Sequence, residues 1–258
     1  MILIMNRDEF FKRPTSRCEW QNGILAGRDQ YPGKEGGTWL AMNSKGCIGA
    51  LTNIYTGKSK PGEGRGFLVI DYLDESREND PNAYLQELSQ SKLTYSPFNI
   101  VMFRPKDNTY EGSYYCRGFK DCFISDSYGP EKIGPGFHGI SNHPMKFPYK
   151  KTEAGVKMFQ EIVETHVEDE KVLQEKLFEM MTDCTSYHPD EQMIKQGGND
   201  SPISDYHNKL ACVHVRIPEV GYGTRVTSLI LIDHDNNATY IEKSHEPGQD
   251  QKKFQFKI

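Results

Sequence analysis

The chain opens with a buried-strand pattern that runs directly into charged residues, and this stretch constrains the fold more than any other. Residues 1–5 read Met-Ile-Leu-Ile-Met, a run typical of a strand inside a sheet. Asn6, Arg7, Asp8 and Glu9 follow at once. Arginine donates through a fixed fork and aspartate accepts, so these side chains can orient one another where a strand ends. Pocket residues also cluster at strand ends, so the stretch predicts either a structural polar pair or part of a site.

Composition limits the kind of protein to which such a strand can belong. The 258 residues carry a formal net charge of -5 and are 36% hydrophobic and 26% charged, as in an ordinary soluble protein with ample core. The negative charge argues against a general nucleic-acid binder. No apolar run approaches the roughly 18 residues that span a bilayer, so no transmembrane segment is expected. No secretory signal pattern is visible, and the scattered cysteines are therefore expected to be reduced.

Strand and helix patterns are grouped along the chain. Strand patterns dominate both ends, while helical spacing of apolar residues is found in residues 67–90 and 152–182. This grouping predicts an α+β fold, a layered sandwich of two mainly antiparallel sheets with helices outside, and argues against a Rossmann-type alternation. We expect a single domain over residues 1–258, with a polar and loosely held tail from about residue 243.

Three stretches between these groups also carry local predictions. Residues 122–125 and 210–215 are apolar enough to predict strands. Residues 185–208 are polar and punctuated by glycine and proline, which predicts a long loop or lid.

Polar residues recur at the predicted strand ends. Because sheet proteins build sites at strand ends, we expect these residues to converge on one cleft. The alternative is ordinary turn and bulge chemistry, which uses the same residue types. The residues expected to bind a ligand are Asn6, Arg7, Asp8, Trp39, Asn53, Asn142, His143 and Arg225.

Taken in chain order, a larger set of short motifs resembles one protein family. The motifs are Asn6-Arg7-Asp8-Glu9, Gly27-Arg28-Asp29, Gly36-Gly37-Thr38-Trp39-Leu40, Leu51-Thr52-Asn53, Gly64-Arg65-Gly66, Gly139-Ile140-Ser141-Asn142 and Tyr222-Gly223-Thr224-Arg225. Together they resemble the NRDE family, also described as the transport and Golgi organisation protein 2 family, from Met1 to about Glu242.

The resemblance implies both a fold and a function. The fold would be a four-layer αββα sandwich of the N-terminal-nucleophile-hydrolase type. The function would be haem trafficking inside the cell, by a soluble haem carrier or chaperone in the cytoplasm, the mitochondria or the Golgi region. The implied partners are haem itself and unidentified proteins that donate and accept it.

A more distant likeness, to choloylglycine-hydrolase-type amidases, implies a second reading. Arg7 and Asp8 look like the pair that follows the nucleophile in those enzymes, and Asn53 and Asn142 look like the asparagines that hold the oxyanion. Those enzymes attack with an N-terminal cysteine, whereas this sequence begins Met-Ile. Family members commonly begin Met-Cys on an earlier strand, so the chain is expected to be shortened there.

Two alternatives to haem carriage follow from this likeness. One is an amidase or acyl-transfer hydrolase whose nucleophile is missing from this chain, so that no catalytic residue is assigned. The other is a carrier of acyl-CoA or lipid that uses the same pocket.

Haem binding requires an apolar slot and usually an axial side chain on the iron. His143, beside Asn142, is the candidate axial ligand, and the alternative is an ordinary loop histidine. Trp39, with Phe10 and Phe11, is a candidate apolar wall, and core packing is the alternative.

Overall fold

The computed structural model describes residues 1–54, 63–118, 124–197 and 205–258. Its strands form a five-stranded and a seven-stranded sheet. Every pairing between the strands of these sheets is antiparallel, which confirms the prediction. None of the described helices is both long enough and apolar enough to cross a bilayer.

The two sheets are built from twelve strands of the described chain. They are β1 (Ile2–Phe10), β2 (Glu19–Gln21), β3 (Ile24–Ala26), β4 (Leu40–Asn43), β5 (Ile48–Asn53), β6 (Phe98–Lys106), β7 (Thr109–Arg117), β8 (Tyr128–Ile133), β9 (Arg216–Ile217), β10 (Tyr222–Ile232), β11 (Asn237–Ser244) and β12 (Lys252–Lys257). The seven-stranded sheet runs β2 to β8 in sequence order, with α1 and α2 inserted between β5 and β6. The five-stranded sheet has the order β1-β10-β11-β12, with β9 beside β10, so it joins the two ends of the chain.

Helices connect and cover these strands. They are α1 (Gly66–Leu73), α2 (Pro81–Gln90), α3 (Lys150–His166), α4 (Glu170–Met180), α5 (Glu191–Gly197) and α6 (Asp205–Leu210). Helix α2 begins as its sequence predicts: Pro81 occupies the first turn, and the Asp80 carboxylate accepts a 2.8 Å hydrogen bond from the Ala83 amide.

Three apolar clusters hold the layers together. Helices α1 and α2 pack on the outer face of the seven-stranded sheet, with Tyr72 and Phe98 in that cluster. The two sheets pack face to face through a second cluster, which includes Met42 and Tyr240. Helices α3 and α4 cover the outer face of the five-stranded sheet. The fold is therefore a four-layer αββα sandwich of the α+β class, as predicted.

The structure corrects two predictions between residues 185 and 215. The predicted loop over residues 185–208 contains α5 and the beginning of α6. The predicted strand at residues 210–215 is absent, because Leu210 ends α6 and the following residues form turns. The apolar residues that suggested a strand are buried without one: Ala211 and Val215 are both core residues.

Two further predictions concern strands. The tail after residue 243 is not loose, because β12 pairs with β11 along its length. Its alternating sequence turns Phe254 and Phe256 toward the inter-sheet cluster, a signal that the polar composition concealed. Of the strand predicted at residues 122–125, the first two residues lie outside the described residues and the last two are not in a strand.

Candidate functional site

Strand β1 divides the opening Asn-Arg-Asp-Glu motif between its two faces. Met5 packs against the inter-sheet cluster, whereas Ile4 packs against the cluster under α3 and α4. Side chains alternate along a strand, so Arg7 shares the inter-sheet face with Met5, while Asn6 and Asp8 face the helices. The prediction that these residues follow the strand and orient one another is wrong, because they lie within it and face different layers.

On the helix-facing side, Asp8 lies close enough to the buried Lys151 for the two groups to influence each other. Its carboxylate accepts a 2.6 Å hydrogen bond from the Thr224 hydroxyl, and desolvation raises its pKa while nearby Lys151 opposes that shift. Lys151, in the first turn of α3, donates to the carbonyl oxygens of Leu210 (2.8 Å) and Cys212 (3.1 Å). Burial lowers the pKa of Lys151, and Asp8 opposes this. Lys151 thus ties the beginning of α3 to the end of α6.

Asn6 anchors a chain of hydrogen bonds on the same side. Its Nδ2 donates to the carbonyl oxygens of Met181 (2.9 Å) and Val213 (3.1 Å), and its Oδ1 accepts from the Thr227 hydroxyl (2.6 Å). Because the Thr227 proton is used there, the 2.8 Å contact to His245 makes the imidazole Nε2–H the donor. Burial lowers the pKa of His245 to about 4, so its ring is neutral at pH 7.

On the inter-sheet face, Arg7 has a different environment. Its guanidinium carbon lies 4.0 Å from the centroid of the Trp39 ring, and the residue is only 7% exposed. Its Nη1 has no hydrogen-bond acceptor among the described residues. Burial lowers the pKa of Arg7 to about 10, so the side chain remains charged at pH 7. Arg7 is therefore a desolvated cation stacked on an aromatic ring.

The acidic side chains that influence Arg7 are bound to another arginine. Asp29 accepts hydrogen bonds from Arg13 Nη2 at 2.6 Å and from Arg13 Nε at 3.2 Å. Glu9 lies 3.6 Å from the same Nε. Both carboxylates raise the pKa of Arg7 through space, but Arg13 is their ion-pair partner.

Arg225, predicted to bind a ligand, has a closed set of protein partners. It is the extra residue of a bulge in β10, where the register against β1 shifts. Its Nε and Nη2 bind the Glu246 carboxylate at 2.6 and 2.5 Å, and its Nη1 donates to the Arg13 carbonyl oxygen at 2.5 Å. Arg225 therefore fixes the backbone that follows β1.

Asn53 and Asn142 lie together, as the single-cleft prediction requires, and the Asn142 side chain is engaged. Asn142 Nδ2 donates to the Asn53 carbonyl oxygen at 2.7 Å. The Asn142 carbonyl oxygen accepts from the Tyr149 hydroxyl (3.2 Å) and Gln196 Nε2 (3.0 Å). No hydrogen bond or ion pair among the described residues joins these asparagines to Arg7 or Arg225. The described hydrogen bonds thus join Asn142 to Asn53, whereas Arg7 and Arg225 make other contacts.

His143 is enclosed. It is 3% exposed, its ring lies between those of Phe147 and Tyr149, and its Nδ1 is 2.5 Å from the Phe147 carbonyl oxygen. Burial lowers its pKa. A haem iron reaches this ring only if the loop around it opens. Within the described part of the chain, no group of three or more histidine, cysteine or acidic residues has the geometry of a metal site.

Sequence reasoning missed the residues that position this site. Asn99, buried in β6, donates to the carbonyl oxygens of Ser141 (3.0 Å) and His143 (2.9 Å) and so holds the loop that carries Asn142. Lys151 and Thr227 were missed as well. An asparagine inside an apolar strand was the available signal for the first, and no local pattern marks the other two.

A shallow depression of about 440 Å³ lies away from these residues. It is lined by the turn between β4 and β5, the α1–α2 connection and the end of β6, including Lys45 and Arg104. None of the predicted site residues lines it. Its basic side chains are largely paired, as Arg104 is with Asp80 and Glu111.

Comparison with known sequences identifies one family, both by its sequence model and by individual relatives. The sequence model of the family described as "Transport and Golgi organisation 2" matches residues 1–247. The Transport and Golgi organization 2 homologs of Mus musculus and Homo sapiens are each 34% identical to this chain, over 251 and 253 residues. Transport and Golgi organization protein 2 of Drosophila melanogaster is 31% identical over 254 residues. Each comparison covers 95% of this chain and 86% of the relative.

Among solved structures, the chain is similar to a mutant of conjugated bile acid hydrolase from Clostridium perfringens. The TM-score is 0.36 at 8% sequence identity, covering 100% of this chain and 84% of that one. A likeness this distant says nothing about chemistry.

Proposed function

The chain belongs to the Transport and Golgi organisation 2 family, and on that premise we propose that it is an intracellular haem carrier or chaperone, which takes haem from one protein and passes it to another. Haem is in this proposal a cargo that is bound and released.

The observation that supports the proposal is the incomplete burial of several apolar side chains around the inter-sheet cluster. Met5, Trp39, Ile140 and Met145 pack against the inter-sheet cluster yet remain only partly buried. Partly exposed apolar side chains with a few polar groups nearby are the usual lining of a ligand site. A porphyrin is a flat, largely apolar ring and suits such a lining. We place the macrocycle against these four side chains.

The hydrolase alternative has less support from the described residues. A cysteine attacks as its thiolate, but Cys18 is fully buried and burial raises the pKa of its thiol far above neutral. Burial likewise raises the pKa values of Cys47 and Cys116 to about 11. The amide of Asn142, the expected oxyanion donor, is already bound to the Asn53 carbonyl oxygen.

The test is a haem titration of the purified protein, followed by its visible spectrum and by transfer of bound haem to apomyoglobin. We expect saturable binding and complete transfer. His143→Ala should leave the Soret band unchanged, because the ring is enclosed. Retention of no more haem than by an unrelated protein with an apolar pocket would overturn the proposal. Tight binding of palmitoyl-CoA without haem binding would favour the acyl-CoA carrier instead.

A further inference from the structure

We propose that Arg7 and Trp39 form a binding site for a carboxylate carried by a flat, apolar ligand. The guanidinium would bind the carboxylate, and the exposed part of the indole would contact the apolar body. The inference rests on the proposed function only where it takes haem, with its two propionates, as that ligand. The site itself is argued from the contacts of Arg7.

Arg7 differs from the other buried arginines of the described chain. Arg28 donates to the carbonyl oxygens of Gly36 (3.1 Å) and Gln21 (3.4 Å), and Arg225 is bound to a carboxylate and a carbonyl oxygen. Arg7 makes no side-chain hydrogen bond to a described residue, and its buried Nη1 has no acceptor. Buried charges are almost always paired, because removing them from water without compensation is unfavourable. An anionic ligand is the partner that this guanidinium lacks.

The surroundings keep Arg7 available. Asp29 and Glu9, the carboxylates close enough to influence it, are both ion-paired with Arg13. The Arg13 backbone is in turn held by Arg225 Nη1. A second cation therefore holds the acidic side chains that would otherwise neutralise Arg7, and the buried charge is left for a ligand.

The indole under Arg7 is also fixed in place. The Trp39 carbonyl oxygen accepts a 2.8 Å hydrogen bond from the Leu51 amide. A Cβ atom on Gly27 would lie 3.2 Å from Trp39 Cζ2, so the ring packs closely on a residue without a side chain. Met5 stands beside Arg7 on the same face of β1 and is partly exposed, as Trp39 is. The side chains next to Arg7 are thus apolar and partly exposed, which favours a ligand that is apolar apart from its anionic group.

A carboxylate suits this arrangement better than a neutral polar group does. The guanidinium presents parallel N–H donors that match the two oxygens of a carboxylate. A hydrogen bond to a charged partner in a desolvated site is stronger than one between neutral groups. A phosphate, as on acyl-CoA, shares this anionic chemistry, so the test must separate the two.

The experiment uses Trp39 as its own reporter. The chain has two tryptophans, and Trp20→Phe leaves Trp39 alone. Fluorescence quenching of this protein is titrated with haem, with haem dimethyl ester, and with pyrenebutyrate and its methyl ester. Each titration is repeated with Arg7→Gln and with the control Arg117→Gln, whose arginine also lies over an aromatic ring, Tyr95 at 5.5 Å, but on the α2 side of the molecule.

We expect Arg7→Gln to weaken haem and pyrenebutyrate binding roughly ten- to a hundredfold, the loss of one charge-assisted hydrogen bond. Esterification of the ligand should weaken its binding to the same degree. The esters should then bind equally well to the Trp20→Phe protein with and without Arg7→Gln. Arg117→Gln should change the affinity for neither haem nor pyrenebutyrate. The thermal midpoint of ligand-free Arg7→Gln should equal or exceed that of the parent, which an arginine with a purely structural role would not allow.

The outcomes separate the site from the function. Haem binding that is indifferent to Arg7→Gln and to esterification would overturn the site and leave haem carriage standing. Arg7-dependent binding of pyrenebutyrate without any haem binding would support the site and overturn haem carriage. Competition by palmitoyl-CoA but not by palmitate would assign the site to a phosphate and overturn the carboxylate. The proposed site would also be overturned if the binding of every probe were independent of Arg7.

Discussion

The two faces of strand β1 treat their polar side chains in opposite ways. On the helix-facing side, Asn6 and Asp8 belong to networks whose donors and acceptors are matched, and Asp8 has a buried lysine nearby. On the inter-sheet face, Arg7 is buried yet lacks an acceptor for Nη1 among the described residues. These two environments therefore belong to side chains of adjacent residues in the same strand.

This difference indicates which face maintains the fold and which is available to a ligand. A buried polar network in which every group is bonded rigidifies a core and helps to specify it. An unpartnered buried charge destabilises the folded state, and natural proteins keep such features chiefly at functional sites. We therefore expect substitutions on the helix-facing side to lower stability, and substitution of Arg7 to lower ligand binding alone.

The largest expected effect comes from removing the buried cation near Asp8. Lys151→Met should lower the free energy of unfolding by about 3–5 kcal/mol, because the Leu210 and Cys212 carbonyl oxygens lose their donor and Asp8 loses a nearby cation. Denaturant unfolding measures this. Lys150→Met is the matched control, since the neighbouring lysine is exposed, and it should change stability by less than about 1 kcal/mol.

The double variant Asp8→Asn with Lys151→Met sharpens the result. Removing both charges should restore a large part of the loss, because a neutral amide still accepts from Thr224 and no buried charge remains. Equal stability of the single and double variants would show that the two charges do not interact.

A second contrast compares two arginines that are equally buried. Arg225→Met should cost about 2–3 kcal/mol, because it leaves Glu246 and the Arg13 carbonyl oxygen without their donor. Arg7→Met should leave the ligand-free protein unchanged or more stable by up to about 1 kcal/mol, because no hydrogen bond is lost. Both follow from denaturant unfolding, and similar losses at the two positions would remove the distinction between the faces.

Much of the fold was readable from the sequence. The five-residue apolar run gave β1, Asp80 and Pro81 marked the start of α2, and the grouping of patterns gave the layered α+β class. The wrong predictions concern segments in which polar composition was given more weight than the alternation of apolar and polar residues. The polar tail conceals β12, whose Phe254 and Phe256 alternate with polar residues, and the motif at residues 6–9 continues the period-two alternation of β1.

The site was less predictable, because its contacts join distant parts of the chain. Nothing local distinguishes the buried Lys151 from the exposed Lys150. Arg7 and Arg225 are both strand arginines within polar motifs. Arg225 is ion-paired with Glu246, whereas Arg7 Nη1 has no acceptor among the described residues. Which arginine finds a partner depends on the sheet register and on the bulge in β10, and these are properties of the folded chain.

A smaller effect is expected within the Asn6 network. Thr227→Val keeps the shape of a fully buried side chain but removes the hydroxyl that binds both Asn6 Oδ1 and His245 Nε2. We expect a loss of about 2 kcal/mol, since two partners lose a hydrogen bond inside the protein. Thr239→Val is the control, because among the described residues its hydroxyl meets Gln255 Nε2 alone, at 3.3 Å. Equal losses would mean that the chain of hydrogen bonds adds nothing beyond ordinary packing.

The smallest effect tests the helix-facing side by pH. Burial, together with nearby His214 and Lys243, lowers the pKa of His245 from its ordinary value near 6.5 to about 4. The unfolded chain therefore binds a proton between pH 6.5 and pH 4 that the folded chain refuses, so this residue's contribution to stability is complete above pH 6.5 and is lost as the pH falls. His245→Gln, whose amide can still donate to Thr227, removes the titration. The difference in thermal midpoint between the parent and this variant should be constant above pH 6.5, and the parent should become the less stable of the two towards pH 4. The effect should be modest because the ring is only half-buried.

His234→Gln, at an exposed turn, should give no such difference. A parent that gains stability relative to His245→Gln on acidification would show that the folded protein takes up the proton more readily than the unfolded chain does. The neutral ring inferred from burial would then be wrong, although a charged imidazole would still donate from Nε2 to Thr227.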